Sequence, residues 1–451
     1  MKIDCLVAEI GSTTTLINAF MLGAKPKFIG QGFAPTTVEQ GDVCIGLNNA
    51  IDSLAKTLGE KVTYKEMLAT SSAAGGLKMT VHGLVYEMTV RAAKEAALGA
   101  GGIIKLLTAG KLSQYDLGQI IKTKPNLILL AGGTDYGATE VPLYNAELLA
   151  KADLPCPIVY AGNKALDGQI AQIFEDAGKS CKIVDNVYPQ LDNLCIEPTR
   201  KVIHSTFEQN IVKAQGMEHI RKLVSGNIIP TPGAVMECAM LASELLGNIA
   251  VIDIGGATTD IHSVCDDNAE MASLAIEAEP HCKRTVEGDL GVYINARHLI
   301  DLLGEQELSA KLGFDIVTTL AEYKAIPVGD KQIELVEELT LQAGKIALTR
   351  HAGSIRYIFG NNGRQTLTQG KDLTDLKYLI ASGGALTRLP HREQIMRNLA
   401  NINANKTMLF PKVDKLQILF DNDYIMASLG VLAKTHKDEA IELLKQTLSI
   451  K

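Results

Sequence analysis

The sequence contains no tryptophan, and its eight cysteines form neither a CxxC pair nor a Cys/His cluster with metal-ligand spacing. Zinc sites and iron–sulfur clusters need closely spaced ligands, so this pattern argues against both and favours reduced thiols in a cytoplasmic protein. No apolar run reaches the ~18 residues of a membrane span, and Asp4 and Glu9 lie where a signal peptide needs a basic end. Basic residues are not in excess either, because 44 Lys and Arg face 51 Asp and Glu, which argues against a nucleic-acid-binding surface.

What is present is typical of a folded protein with a large core. Of the 451 residues, 46% are hydrophobic and 21% are charged, which excludes a disordered chain. At ~150 residues per domain, this length predicts two to four domains.

Two segments share one pattern of three strands joined by tight turns. In the first copy the predicted strands cover residues 3–10, 14–22 and 27–33. In the second copy they cover residues 249–254, 259–265 and 270–276. Helical segments follow each copy, so the chain is predicted to contain a duplication.

A different rhythm runs from residue 112 to residue 189, where short apolar strands alternate with helices. The predicted strands are 127–130, 158–161 and 182–187. Strand–helix alternation with short loops favours a parallel sheet covered by helices. We therefore predict that an α/β unit is inserted between the two copies.

The first turn of each copy is suited to binding phosphate. Each turn follows an apolar strand and combines an acidic residue with glycine and hydroxyl side chains. The candidates are Glu9, Gly11, Ser12, Thr13 and Thr14 in the first copy and Asp253, Gly255, Gly256, Thr258 and Asp260 in the second. Backbone N–H groups and hydroxyls in such turns bind phosphate oxygens, and Glu9 and Asp253 are predicted to hold Mg²⁺, mainly through water.

A third candidate is the glycine turn at Gly383, Gly384 and Ala385, which a strand enters and a helix leaves. Backbone without side chains allows a flat adenine or a ribose to approach closely. Residues 131–135 have the same appearance, which shows how easily this pattern arises.

Together these segments resemble the ATPase superfamily of actin, sugar kinases and heat-shock chaperones. Its two connecting helices correspond to residues 233–246 and 423–433, where Ala427 and Gly430 are the small residues expected at a helix crossing. The resemblance implies a duplicated ribonuclease H-like (actin-like) α/β fold that binds ATP and Mg²⁺ between two lobes. The lobes would be residues 1–110 and 231–451, with the connecting helices packed where the lobes meet, and the inserted unit would be residues 111–230.

A narrower resemblance is to the glutamate mutase L (MutL) family. It is carried by four segments, residues 71–77 (SSAAGGL), 130–135 (LAGGTD), 284–291 (RTVEGDLG) and 349–353 (TRHAG). This resemblance implies an ATP-dependent, chaperone-like reactivating factor for an adenosylcobalamin-dependent mutase or aminomutase, and it leaves a homodimer open. Damaged cobalamin would be exchanged through nucleotide-driven domain motion.

In that mechanism Asp253 or Asp260 orients the attacking water, while Glu9 and Asp253 arrange the water shell of the metal. Glu9 departs from the aspartate that is usual in the superfamily. It keeps the charge but adds a methylene, so slow hydrolysis or a purely binding scaffold stays open.

The same fold also occurs in proteins with two other functions. A small-molecule kinase would need a general base, for which Asp289 is a candidate. An activase of radical dehydratases would need closely spaced cysteines for its cluster, and the sequence has none.

Overall fold

The computed structural model describes residues 1–450 except 12–13, 38–39, 73–76, 101, 192, 212–216, 218, 227, 277–278, 361–362 and 404–406. The strands are β1 (Lys2–Ile10), β2 (Thr14–Met21), β3 (Lys27–Pro35), β4 (Thr63–Ser71), β5 (Leu77–Gly83), β6 (Gly102–Ala109), β7 (Leu127–Leu130), β8 (Ile158–Tyr160), β9 (Cys181–Ile183), β10 (Ile228–Pro230), β11 (Ile249–Ile254), β12 (Thr259–Val264), β13 (Cys282–Glu287), β14 (Ser354–Gly360), β15 (Gly363–Gln369), β16 (Tyr378–Ser382) and β17 (Gln417–Phe420).

The α-helices are α1 (Val43–Leu58), α2 (Arg91–Gly99), α3 (Gln114–Thr123), α4 (Glu140–Lys151), α5 (Asp167–Asp176), α6 (Glu197–Ile211), α7 (Thr231–Leu246), α8 (Ala269–Ser273), α9 (Ala296–Leu303), α10 (Glu305–Leu312), α11 (Ile316–Ala321), α12 (Asp330–His351), α13 (Gly383–Arg388), α14 (Arg392–Ala400), α15 (Met426–Leu432) and α16 (Lys437–Thr447). One π-helical turn, Tyr86–Val90, precedes α2. Among the described residues, no helix combines the length and the apolar character needed to cross a membrane.

The chain divides into two compact units. Unit 1 contains Met1–Cys238 and Ala427–Leu443, and unit 2 contains Ala239–Met426 and Leu444–Lys451. The divisions fall inside α7, α15 and α16, so the C-terminal part of the chain contributes to both units. The predicted border at residue 231 had placed this whole C-terminal part in the second lobe.

The predicted duplication is visible in the sheets. The first sheet has the order β3-β2-β1-β4-β10 and the second has the order β13-β12-β11-β16-β17. In both, the first three strands are antiparallel neighbours and the last two run parallel to the first strand. This shared topology confirms the duplicated ribonuclease H-like α/β fold.

A third sheet in unit 1 confirms the inserted α/β unit. Its five strands are all parallel, in the order β6-β5-β7-β8-β9. Strands β5 and β6 belong to it, although the predicted boundary at residue 111 assigned them to the first lobe. Strand β5 lies between β6 and β7, and β7 comes later in the chain, so local pattern alone does not show this pairing.

The third strand of the second copy was predicted wrongly. Residues 270–276 do not form a strand, because Ala269–Ser273 is a helix whose Asn268 side chain accepts a hydrogen bond from the Glu270 N–H. The strand that pairs with β12 is β13, which begins at Cys282.

The second connecting helix is also shorter than the predicted 423–433. Asp421 lies just after β17 and accepts hydrogen bonds from the N–H groups of Ile425 and Met426, at 3.0 and 2.9 Å. Because the carboxylate satisfies these otherwise unpaired donors, α15 starts at Met426.

Candidate functional site

The second phosphate turn of the prediction joins β11 to β12 in unit 2. The Gly255 N–H donates to the carbonyl of Thr258 at 2.9 Å, and the strands on either side pair Asp253 with Asp260. The sequence forms this turn because glycine at 255 and 256 offers no side chain to crowd a four-residue reversal. The turn is half-buried, so it is held firmly while part of it faces solvent.

The carbonyl oxygens of this turn are held from behind by residues 292–295. The Val292 N–H donates to Gly255 O at 3.2 Å, those of Tyr293 and Ile294 donate to Gly256 O at 2.9 and 2.7 Å, and Asn295 Nδ2 donates to Ala257 O at 2.6 Å. Gly291 permits this approach, because a Cβ there would lie 2.3 Å from the Ala257 carbonyl carbon. The sequence analysis did not identify Asn295 or Gly291 as positioning residues.

Because the carbonyls of residues 255–257 are already hydrogen-bonded, the N–H groups of residues 256–258 are the polar backbone groups that are left to bind a ligand. Within the described part of the chain, no protein acceptor takes the backbone N–H of Gly256, Ala257 or Thr258. Successive N–H groups pointing to one side of a turn make a concave site that attracts anions. This arrangement suits phosphate oxygens.

The glycine turn of β16 and α13 lies directly against the acidic end of β11. A Cβ on Gly383 would lie 2.4 Å from the Ile254 carbonyl oxygen and 2.5 Å from Asp253 Oδ1. Gly383 also has φ of +81°, a conformation that other residues rarely adopt. Around the neighbouring Gly384 the space is open. The structure therefore brings together Asp253, the phosphate turn and Gly383, three candidates that are far apart in sequence.

The first phosphate turn has the same closure in unit 1. The Gly11 N–H donates to Thr14 O at 3.0 Å, which matches the bond between Gly255 and Thr258. The predicted ligands Ser12 and Thr13 lie outside the described residues, as do residues 73–76 of the family motif. Thr14 is exposed at the end of the turn.

Glu9, which precedes this turn, is held inside unit 1. Its Oε1 accepts hydrogen bonds from Ser428 Oγ at 2.7 Å and from Asn18 Nδ2 at 3.1 Å, and the residue is only 6% exposed. Asn18 also donates to Ser428 Oγ at 2.8 Å. With its longer side chain, Glu9 places its carboxylate beside Asn18 and Ser428, two residues that the sequence analysis did not identify.

Asp260 lies in a buried ion pair. Its Oδ2 accepts from an Arg284 guanidinium nitrogen at 3.0 Å, and Arg284 is 1% exposed. His262 lies on the same face, since it pairs with Arg284 in the β12–β13 register. Burial, followed by the charge of Arg284, lowers the pKa of His262 well below its ordinary value, so this imidazole is neutral. One carboxylate oxygen of Asp260 is therefore paired with Arg284, while its Oδ1 is buried and has no hydrogen-bond partner among the described residues.

The family model described as MutL protein matches residues 5–448. The chain belongs to the MutL family. A curated relative, Protein MutL of Clostridium tetanomorphum, is 35% identical over 459 residues, which covers 98% of each chain. The predicted family membership is confirmed.

Solved structures similar to this MutL chain are much more distant. A nucleotide-free acetone carboxylase is 13% identical with a TM-score of 0.41, covering 96% of this chain and 70% of that one. Component A of (R)-2-hydroxyglutaryl-CoA dehydratase from Acidaminococcus fermentans is 9% identical with a TM-score of 0.30, covering 97% and 98%. Likenesses this weak identify no function.

The structure also places the MutL motif at residues 284–291. Its acidic residues are Glu287 and Asp289. Both carboxylates accept hydrogen bonds from Arg350 NH1, which belongs to the motif at residues 349–353. Asp289, the candidate base of a kinase, is therefore paired with arginine. These two motifs of the MutL family form one charged cluster beside β13.

A metal ion at this site would need ligands in addition to the described side chains. Among the described residues, no three His, Cys, Asp or Glu side chains are grouped to hold a metal. Mg²⁺ usually keeps several waters and is bound by one or two carboxylates together with substrate phosphates. The half-buried Asp253 beside the phosphate turn fits that type of site.

Proposed function

We propose that this MutL family member binds ATP with Mg²⁺, hydrolyses it, and acts as a chaperone-like reactivating factor for an adenosylcobalamin-dependent mutase or aminomutase. The nucleotide cycle would drive a conformational change that lets damaged cobalamin leave the partner enzyme. The ATPase part is supported by the site geometry, and the partner is supported by the sequence resemblance to the glutamate mutase L family.

One observation carries the ATPase proposal, namely the turn at residues 255–258. The carbonyls of residues 255–257 accept hydrogen bonds from residues 292–295, and among the described residues no protein acceptor takes the N–H groups of residues 256–258. Such a turn binds phosphate without first having to rearrange. Phosphoryl transfer needs mainly positioning and charge stabilisation, so a preformed phosphate site is the central requirement.

The acidic residues would have different roles in binding and hydrolysis. Asp253, next to the turn and to Gly383, would hold metal-bound water and orient the attacking water. Mg²⁺, when bound with ATP, neutralises phosphate charge. Asp260, paired with Arg284, would keep β12 and β13 in register behind the turn. Glu9 would support the first turn from its position between Asn18 and Ser428.

The test is calorimetry with ATP and Mg²⁺ together with a phosphate-release assay. Asp253→Ala should abolish hydrolysis while weakening ATP binding much less, because backbone N–H groups supply most of the contacts to phosphate. Asp176→Ala, which changes an exposed carboxylate on α5, is the control and should leave both unchanged. Absence of binding up to millimolar ATP would refute the ATPase proposal, and equal loss of binding and hydrolysis in Asp253→Ala would refute the role of Asp253.

The partner proposal has a separate test. An adenosylcobalamin-dependent glutamate mutase or aminomutase that has lost activity during turnover should recover it when this protein, ATP and fresh adenosylcobalamin are added. Recovery without ATP, or none with all components, would contradict the reactivating role.

A further inference from the structure

An apolar cavity lies directly behind the phosphate turn of unit 2. It has a volume of about 540 Å³, and its walls include Tyr293, Ile294, Val317, Leu320, Tyr323 and Arg297. Ligand pockets in proteins typically have volumes of ~300–1,000 Å³ and mostly apolar walls. The volume lies within this range and the walls are mostly apolar, although the cavity is widely open to solvent.

Its rim exposes large apolar side chains. Ile294 is 54% exposed and Val317 is 49% exposed, and Ile326 and Val328 nearby in the chain are more exposed still. Of the 19 large apolar side chains exposed among the described residues, six lie between residues 293 and 328, and three of these six, Tyr293, Ile294 and Val317, line the cavity. Scattered exposed hydrophobic residues are normal, but a concentration around a cavity marks an interaction surface.

The wall of the cavity is rigid and nearly neutral. The Tyr323 hydroxyl donates to Val292 O at 2.6 Å, and its ring lies 5.6 Å from that of Tyr293. Arg297 is already paired with Asp301 at 2.9 Å and with Glu305 at 2.8 Å. An anion would gain little from this arginine, so the cavity favours an uncharged apolar group.

A second cavity on the other side of α11 is acidic. It has a volume of about 420 Å³, and Asp315, Glu322 and Asp330 on its wall outnumber the single cation, Lys331. The short helix α11 thus separates an apolar cavity from an acidic one. A chain that fills both would need a large apolar side chain and a basic side chain close together.

We propose that these paired cavities bind a segment of a partner protein that carries large apolar side chains flanked by Lys or Arg. The segment would bury its apolar side chains against Val317 and Tyr293 and place its basic side chains beside Glu322. Charge complementarity favours this occupant over an acidic peptide.

The position of the cavity connects the docked segment to the phosphate turn. The Tyr293 N–H donates to Gly256 O at 2.9 Å, and a Cβ on Gly256 would lie 3.2 Å from the Tyr293 Cβ. A group that presses on Tyr293 therefore acts on the turn itself. This second step, that docking changes the rate of nucleotide release, rests on the proposed ATPase function.

Docking is tested with three fluorescently labelled peptides, Ac-Lys-Phe-Leu-Lys-amide, its Glu-Phe-Leu-Glu counterpart and its Lys-Ser-Gly-Lys counterpart. Fluorescence anisotropy should show binding of the first peptide only. Val317→Asp should weaken that binding about tenfold or more, because a loss of only 1.4 kcal/mol has this effect. Glu322→Gln should weaken it less. Val413→Asp is the matched control, since Val413 is 44% exposed in the same unit, and it should bind the peptide like wild type.

Three results would overturn docking. They are absence of binding up to millimolar peptide, equal binding of all three peptides, and equal effects of Val317→Asp and Val413→Asp. Sedimentation equilibrium adds a fourth. Self-association that Val317→Asp abolishes, in a protein that binds no peptide, would assign the surface to a second copy of this chain.

The coupling step has its own readout. The dissociation rate of N-methylanthraniloyl-ATP should change severalfold when the basic apolar peptide is present, and not in Val317→Asp. If the peptide binds but the nucleotide analogue does not, the proposed ATPase function fails while docking stands. If both bind and the rate is unchanged, the coupling is refuted.

Discussion

At the scale of single residues, the decisive feature of unit 2 is how little space surrounds the glycine at 383. A Cβ at this position would overlap both the Ile254 carbonyl oxygen and the carboxylate of Asp253, while a Cβ at the adjacent Gly384 would meet nothing within 4 Å. Two neighbouring glycines that look alike in sequence thus have different requirements. The first must be glycine, and the second can be replaced.

Gly383→Ala should destabilise unit 2 by at least about 2 kcal/mol, because the left-handed backbone alone costs ~1–2 kcal/mol and the methyl group overlaps Asp253. It should also abolish ATP binding. Gly384→Ala is the comparison for stability, and it should not destabilise unit 2, because nothing lies within 4 Å of a Cβ there. Urea unfolding and calorimetry compare the two variants, and equal stability of both would contradict the assigned contact.

A second residue-scale effect concerns pH. His82 on β5 is fully buried and its ring nitrogens lie 2.8 Å from Thr108 Oγ1 and 2.9 Å from Thr80 Oγ1. Burial lowers the pKa of His82 to about 4. In the unfolded chain this imidazole takes up a proton near pH 6.5, whereas in the folded chain it stays neutral down to about pH 4. The free energy of unfolding therefore decreases as the pH falls from ~6.5 towards 4.

Within that pH range, His82 should change the free energy of unfolding by about 1.4 kcal/mol per pH unit. In His82→Gln the free energy of unfolding should therefore decrease less steeply between pH 6.5 and pH 4.5. The difference in slope should correspond to the uptake of about one proton on unfolding. Urea unfolding at several pH values measures this slope. An unchanged slope would show that His82 is protonated in the folded protein.

At the scale of elements, the crossing of α15 and α7 within unit 1 depends on one small residue. A Cβ on Gly430 would lie 1.9 Å from the Ala234 carbonyl oxygen. The sequence predicted Gly430 as a helix-crossing residue, and this contact confirms it. Close backbone approach also explains why a residue with poor helix propensity occupies α15.

Gly430→Ala should lower the free energy of unfolding by about 1–3 kcal/mol, the usual cost of overpacking. The control is Gly118→Ala in α3, where nothing lies within 4 Å and alanine should instead stabilise by up to ~1 kcal/mol. Thermal unfolding should thus move in opposite directions for two identical substitutions. Stabilisation by both would mean that α15 does not cross α7 closely.

At the scale of the whole molecule, the last part of the chain completes the first unit. Ser428 lies in Ala427–Leu443, which belongs to unit 1, and it contacts Glu9 and Asn18 about 410 residues earlier in the sequence. Folding of unit 1 therefore requires nearly the entire chain. Contacts of such long sequence separation also slow folding.

Ser428→Ala should destabilise unit 1 by about 1–3 kcal/mol, because it leaves buried polar atoms of Glu9 and Asn18 with fewer partners. Hydrogen exchange should quicken in β1 and β2, more than 400 residues from the substitution. Ser180→Ala, at an exposed site in the same unit, is the control and should leave exchange unchanged. Faster exchange confined to α15 would contradict this link.

The sequence by itself determined the features that local patterns carry. Most of the duplicated strands, the turns at residues 11–14 and 255–258 and the glycine turn at 383 are recognisable because strand periodicity and turn composition act over a few residues. Family membership is recognisable for the same reason, since its motifs are short.

Only the tertiary structure decided which distant segments meet. It placed Gly383 against Asp253, residues 292–295 behind the phosphate turn, and Ser428 against Glu9. It also made β13 the third strand of the second copy and paired β5 with β7. These contacts depend on strand pairing and on packing between residues far apart in the chain, for which composition and periodicity along one segment contain no information.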